Sequence, residues 1–174
     1  MGKIQPDSGK FDWGITTSQA YLPADHENYF EESVSLVEWL RKYSKTEEER
    51  EELFLRGFLG KMLFSGEEAL KNSNVLSGGE KVRCMLSKIM MERANVLLLN
   101  EPTNHLDLES ITAFNNSLKN FKGTLLCSTS DHAFSQTLGN RIVELTPNGA
   151  IDRHTTFDDY MTDPKIKELR LKMG

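Results

Sequence analysis

The chain has 174 residues, of which 38 % are apolar and 27 % charged, with a formal net charge of −5. That size suits one domain, or one domain with a small subdomain, and the negative balance excludes long-range attraction to nucleic acid, so that a phosphate backbone would need a local basic patch. The longest aliphatic run, Val96 to Leu99, is far too short to span a bilayer.

The first residues, MGKIQP, lack the apolar core of a signal peptide, and Pro6 stands where a myristoylation site wants Ser or Thr. Residues 11–18, FDWGITTS, are β-branched and apolar and predict a strand, which Tyr21-Leu22-Pro23-Ala24-Asp25 interrupts. From Tyr29 to about Ser73 the pattern is helical, with Val34, Val37 and Leu40 at helical spacing and Trp39 and Tyr43 adding bulk. Lys45–Glu52 predicts the charged start of a second helix, and Gly57 and Gly60 within LFLRGFLGKMLF predict close helix packing or a break.

After Ser77-Gly78-Gly79, Val82, Met85, Leu86, Ile89 and Met90 mark the inward face of an amphipathic helix. A buried strand over 95–99 follows, then a helix over 107–119 with Leu108, Ile111, Phe114 and Leu118 inward, then a second buried strand over 123–128. Such alternation predicts an α/β fold whose parallel sheet is covered on both faces. Pro147-Asn148-Gly149 predicts a hairpin between 141–145 and 150–153, and the charged tail 165–174 predicts a frayed helix. Cys84 and Cys127 sit in apolar contexts, as small buried hydrophobes of a reducing compartment do, and the four histidines have no zinc-ligand spacing.

Two stretches carry chemistry. In LSGGEK, residues 76–81, a serine and two glycines open a helix. The N–H groups and dipole there make an anion site, while Ser77 and Glu80 equally make a plain capping box, which the local pattern favours. In VLLLNEPTNHLD, residues 96–107, a buried strand delivers Glu101 to the sheet edge where ligands bind in doubly wound folds. There it either activates a water for attack on phosphorus or merely faces solvent.

The two together, in this order and spacing, resemble the ATP-binding cassette ATPases. VLSGGEKVR resembles the cassette signature and VLLLNEPTNHLD its Walker B strand and D-loop. The NHLD ending, in place of the SALD of membrane transporters, resembles the ABC-F branch of soluble, ribosome-associated proteins with two cassettes. TTSQAYLP resembles the glutamine-loop segment, residues 29–75 the α-helical subdomain, LLCSTSDHAF the switch loop and NRIVELTPNG the hairpin after it.

The resemblance implies a partial P-loop NTPase core with parallel strands and an α-helical subdomain. Residues 1–20 would lead to the glutamine loop, 21–89 form the helical subdomain, 90–162 the second half of the core and 163–174 a charged tail. It implies that Ser77, Gly78, Gly79 and Glu80 meet the γ-phosphate of an ATP held by the opposite cassette, with Asp107 crossing to that partner. Gln19 and Asn100 would serve Mg²⁺, Gln19 also the attacking water, and Glu101 would polarise that water.

Three departures weaken this site. No G-x-x-x-x-G-K-[ST] phosphate loop occurs, and Gln19 lies too near Met1 to leave room for one, so the chain is expected to begin after it. Asn100 replaces aspartate and brings no charge to hold the metal. Ser130 occupies the switch-histidine position, with His132 two residues on as a substitute only if the register slips. The expected function is that of the carboxy-terminal part of an ABC-F cassette: cytoplasmic, without a membrane, paired with a second cassette, acting on the ribosome in the complete protein, and inactive alone. The alternatives are a non-catalytic module that lends its signature to another cassette and, disfavoured by NHLD, a half-cassette of a membrane transporter.

Overall fold

Parallel strands need pairing partners more than they need propensity, and the location of the first strand follows from that. In the computed structural model, which describes residues 4–174, FDWGITTS is irregular: a turn closes from Thr17 to the Gly14 carbonyl, and Ile15 is fully exposed. Asn95 holds the end of this segment, accepting from the Ser18 N–H at 2.8 Å and donating to the Thr16 carbonyl. The strand begins only after that clamp, as β1, Gln19–Leu22, and ends at Pro23, which has no N–H to continue it. The reading of MGKIQP falls partly on residues 1–3, outside the described residues.

The helical region follows as α1 (Leu36–Arg41), α2 (Glu47–Arg50) and α3 (Glu52–Lys61). Ser35 and Thr46 cap the first two. Leu36, Val37, Trp39, Leu40, Leu55 and Leu59 are buried, and Phe30 stacks on Trp39 at 4.8 Å. The Trp39 indole N–H donates to the Tyr29 carbonyl at 2.6 Å, so the large ring is both packed and satisfied. Gly57 and Gly60 mark neither close packing nor a break: α3 runs through both, and a Cβ on either would meet open space.

The long helix α4, Gly78–Glu92, buries Val82, Met85, Leu86 and Ile89 as its spacing predicts. It leads into β2 (Val96–Asn100), α5 (Leu108–Lys119), β3 (Thr124–Ser128), α6 (His132–Leu138), the hairpin β4 (Ile142–Thr146) and β5 (Gly149–Arg153), then α7 (Phe157–Thr162) and α8 (Pro164–Met173). The three parallel strands are ordered β1-β2-β3, in a register that aligns Ala20 with Leu97 and Leu125, and Leu22 with Leu99 and Cys127. These two rows face the main core, which also takes Phe114, Leu118 and Phe134 from α5 and α6.

The opposite face of the sheet is not covered as expected. Leu126 is 63 % exposed, and Val96, Leu98, Leu126, Trp13, Arg141 and Val143 line an open cleft of about 760 Å³ beside the hairpin. The hairpin pairs only with itself, so β3 is an edge strand and not the buried one its composition predicts. Leu108, expected inward, is 81 % exposed, because Asp107 caps α5 one residue before it and the inward stripe starts at Ser110.

The tail is not frayed. Ile166 of α8 is buried with Ile151 and Tyr160 in a second, smaller core. Glu144 ties the two sides together, accepting from the Tyr160 hydroxyl at 2.7 Å and from Arg170 at 2.7 Å. No helix among the described residues is long and apolar enough to cross a membrane.

Two measurements check this packing. Trp39→Ala is expected to lower unfolding stability by roughly 3–5 kcal/mol in denaturant titration. The second concerns Glu144. Burial alone would raise its carboxyl, but Tyr160 and Arg170 outweigh burial and hold it below its ordinary value of 4.5. The folded chain thus binds that proton less readily than the unfolded chain. The contribution is complete above the ordinary value and is lost as pH falls through the lower folded value. Amide-exchange protection in α8, corrected for intrinsic rate, is expected to hold from neutral pH to about 4.5 and fall below it. In Glu144→Gln it should be lower at neutral pH and lack that dependence.

Candidate functional site

Two clusters sit at the C-terminal ends of the strands. The first is the opening of α4. Ser77 caps it, its Oγ accepting from the Glu80 N–H while Glu80 accepts from the Ser77 N–H at 2.8 Å, so the capping box is present. Burial alone would raise the Glu80 carboxyl, but Lys71 at 2.5 Å and the bonds to Ser77 hold it below its ordinary range. The cap does not consume the anion site: Gly78 and Gly79 are the first two helical residues, whose N–H groups the helix ladder leaves unused.

These groups open on a cavity of about 360 Å³ lined by Ser77, Gly78, Gly79, Glu80, Arg83, His105, Asp107 and Ser110. The fit is close on one side. A Cβ built on Gly79 would lie 2.6 Å from the His105 carbonyl oxygen, whereas one on Gly78 would make ordinary contact with the His105 Cβ at 3.8 Å. The helix start therefore rests on the turn after β2, and only glycine permits that approach at position 79. Asp107 is the cap of α5, accepting from the Ser110 N–H at 2.7 Å, and that bond holds its carboxyl below the ordinary range.

The second cluster is the end of β2. Asn100 pairs in register with Ser128, and the Glu101 N–H donates to the Ser128 carbonyl at 2.7 Å. Glu101 then adopts a left-handed conformation, φ +47°, and His105 does so again at +65°. Each costs a non-glycine residue roughly 1–2 kcal/mol. The turn points the Glu101 carboxylate at the loop after β3, where it accepts from the Ser130 N–H at 3.2 Å and its hydroxyl at 3.4 Å.

The structure thus brings Ser77, Gly78, Gly79, Glu80 and Asp107 together in one place, and Asn100, Glu101 and Ser130 together in another, with His105 between them. It does not bring in Gln19. That residue starts β1, pairs with Val96, and donates to the Thr17 hydroxyl at 3.0 Å. It lies four strand positions below Asn100, roughly 13 Å along the sheet at 3.3 Å per residue. Gln19 is therefore placed away from Glu101 in this structure. The β1 segment that reaches Glu101 is Pro23–His26, which lines a small cavity with Asn100, Glu101, Asn104 and His105.

Nor does His132 replace Ser130: its Nε2 lies 2.6 Å from Asp158 Oδ1 and its ring packs edge-on to Phe157, tying α6 to α7. Arg83, another residue the motif reading passed over, lies over the Phe64 ring at 4.6 Å and lines the signature cavity. Its signal was present in GEKVR, three residues past Glu80 on the same helix face.

The donor set of the second cluster does not make a self-contained cation site. Among the described residues no three His, Cys, Asp or Glu side chains gather to hold a metal, and Asn100 leaves Glu101 as the one carboxylate there. The cysteines add no nucleophile. Burial pushes the Cys84 thiol well up, and burial with the Glu101 charge pushes Cys127 up to about 12.

Comparison with known proteins matches residues 1–104 to the family model described as ABC transporter. The chain is 58 % identical to the ABC transporter ATP-binding protein YkpA of Bacillus subtilis, over 96 % of its own length and 31 % of that protein's. It is 30 % identical to the energy-dependent translational throttle protein EttA of Escherichia coli K12, over 91 % of its length and 29 % of that protein's. It therefore spans about a third of these relatives. A solved ABC transporter in an inward-facing conformation superposes with a TM-score of 0.71 at 16 % identity, covering 98 % of this chain and 69 % of that one, which establishes the shared fold. With its signature helix seated on the turn that follows the Walker B strand, and with the family model matching more than half its length, this chain belongs to the ABC transporter family of ATP-binding cassettes.

Proposed function

We propose that these residues are the signature-bearing part of an ABC-F cassette, which meets ATP and Mg²⁺ only in company with a phosphate loop carried elsewhere. The observation that carries this reading is the seat of Gly79 against His105, which leaves the α4 N–H groups facing an open cavity and not the chain's own Glu101. Ser77, Gly78 and Gly79 would receive the terminal phosphate of a triphosphate held by a second cassette, with Asp107 at the rim. Bound ATP and Mg²⁺ would supply the phosphoryl group and its charge neutralisation. Glu101 would orient a water, steadied by Ser130, and Asn100 would contribute an uncharged acceptor. The domain division at residues 20, 89 and 162 belongs to the same reading.

The ABC-F assignment rests on Asn104-His105-Leu106-Asp107 and on the similarity to a protein whose name describes translational control. In the complete protein the function would be ATP binding and hydrolysis coupled to translation on the ribosome, in the cytoplasm. A second reading, a non-catalytic module lending its signature to another cassette, is favoured by the engagement of Glu101 with Ser130 and by the amide at position 100.

The 174-residue chain with Mg²⁺ and ATP is expected to show no measurable specific turnover; turnover that Glu101→Gln abolishes would overturn the reading. The two glycines separate under substitution. Gly78→Ala is expected to be neutral or stabilising by about 0.5–1 kcal/mol, as alanine usually is in a helix. Gly79→Ala should destabilise by about 1–3 kcal/mol in chemical denaturation, because its methyl group meets a carbonyl oxygen.

A further inference from the structure

We propose that His132 is a positioning residue for the Glu101 carboxylate: it couples the terminal unit, formed by the hairpin, α7 and α8, to the Ser130 loop that holds Glu101. The coupling needs only the contacts within this chain; its consequence for hydrolysis rests on the function proposed above.

Glu101 is gripped by one short segment. Its carboxylate accepts from the Ser130 N–H at 3.2 Å and from the Ser130 hydroxyl at 3.4 Å. Ser130 has little freedom of its own, because the next residue starts a helix. Asp131 caps α6, its carboxylate accepting from the Phe134 N–H at 2.8 Å and its carbonyl from the Ser135 N–H at 3.0 Å. The Asp131 N–H donates back to the Thr129 hydroxyl at 3.1 Å. Ser130 therefore moves with the first turn of α6, and whatever aims that turn aims Ser130 at Glu101.

α6 is held from two sides, by two different cores. On the inner side Phe134 is buried and stacks on Phe114 of α5 at 5.7 Å. On the outer side stands the first turn of α7. His132 Nε2 lies 2.6 Å from Asp158 Oδ1, and since a carboxylate only accepts, the Nε2–H donates whether or not Nδ1 also carries a proton. Phe157 packs edge-on to the same imidazole at 5.4 Å, and the Asp158 N–H donates to Gln136 Oε1 at 2.9 Å. α7 is fastened in turn to the hairpin and α8: Tyr160 is buried with Ile151 and Ile166 and donates to Glu144, which Arg170 also binds.

Hydrogen bonds and packed rings thus run without a gap from the second core to the Glu101 carboxylate, and coupling between separated groups travels through neighbours of this kind. His132 is the link nearest to Ser130. With its side chain 65 % exposed and that of Asp158 53 % exposed, the pair is worth little to folding. What it fixes is the direction of the α6 start.

The Ser130 amide signal in ¹H–¹⁵N NMR of the isolated chain reports the coupling. Glu101→Gln, which weakens the bond to Ser130, shows which way that signal moves when the grip loosens. His132→Ala and, separately, Asp158→Asn are expected to move it the same way, whereas His132→Arg, which keeps a donor beside Asp158, should leave it near its unmutated place. Lys172→Ala, which removes an equally exposed pair with Glu168 inside α8, should leave it untouched. A Ser130 signal that stays fixed in both His132→Ala and Asp158→Asn, or that Lys172→Ala moves as far, would overturn the proposal. In a full-length protein that carries this chain with a phosphate loop, His132→Ala should lower kcat by roughly 2- to 5-fold with KM for ATP unchanged, and His132→Arg should restore most of the loss. An unchanged kcat, or a loss confined to KM, would also overturn it. Absence of turnover in the unmutated full-length protein would refute the nucleotide reading instead, and the Ser130 signal would still decide the coupling.

Discussion

The parallel, in-register pairing of β1, β2 and β3 is the constraint on which the site depends. Because Ala20, Leu97 and Leu125 share one rung, the three strands finish within a residue or two of one another at the same end of the sheet. Three loops of otherwise unrelated sequence, Pro23–His26, Asn100–His105 and Thr129–Asp131, must then converge on one small volume. No catalytic requirement need be invoked for that convergence; hydrogen bonding between parallel strands enforces it.

The second element that fixes the site is α4, which is bound from both sides. Its inner face is locked by Val82, Met85, Leu86 and Ile89 against the helical region and β1, and its first turn rests on the His105 carbonyl. A helix whose inner face is packed from Val82 to Ile89 and whose first turn is capped does not fray at that end, so its leading N–H groups keep a fixed direction. Left-handed backbone at Glu101 and His105 is tolerated for the same reason. The strand register on one side and the helix seat on the other leave the turn no other path.

The molecule is unevenly buried. The helical region and one face of the sheet share a continuous core, while the hairpin and the last two helices build a small one of their own. The face carrying Leu98 and Leu126 stays open, as does the outer edge of β3. Aliphatic composition in a strand therefore reports that its side chains suit burial, not that something in the same stretch of chain covers them.

Local interactions were legible in the sequence. The spacing of Val82 to Ile89 gives α4, SGGE gives its cap, Pro147-Asn148-Gly149 gives the hairpin turn, and the glycine-serine and NEPTNHLD motifs identify the family, because caps, turns and helical stripes are decided within a few residues. The sequence could not place β1 at Gln19–Leu22, dock the tail on Glu144, or separate Gln19 from Glu101. Those outcomes depend on contacts across 77 residues at Asn95, 26 at Arg170 and 29 at Ser130. Strand register and side-chain convergence are properties of partners distant in the chain, so only the tertiary structure decides that the loop after β1, and not Gln19, lines the cavity at Glu101.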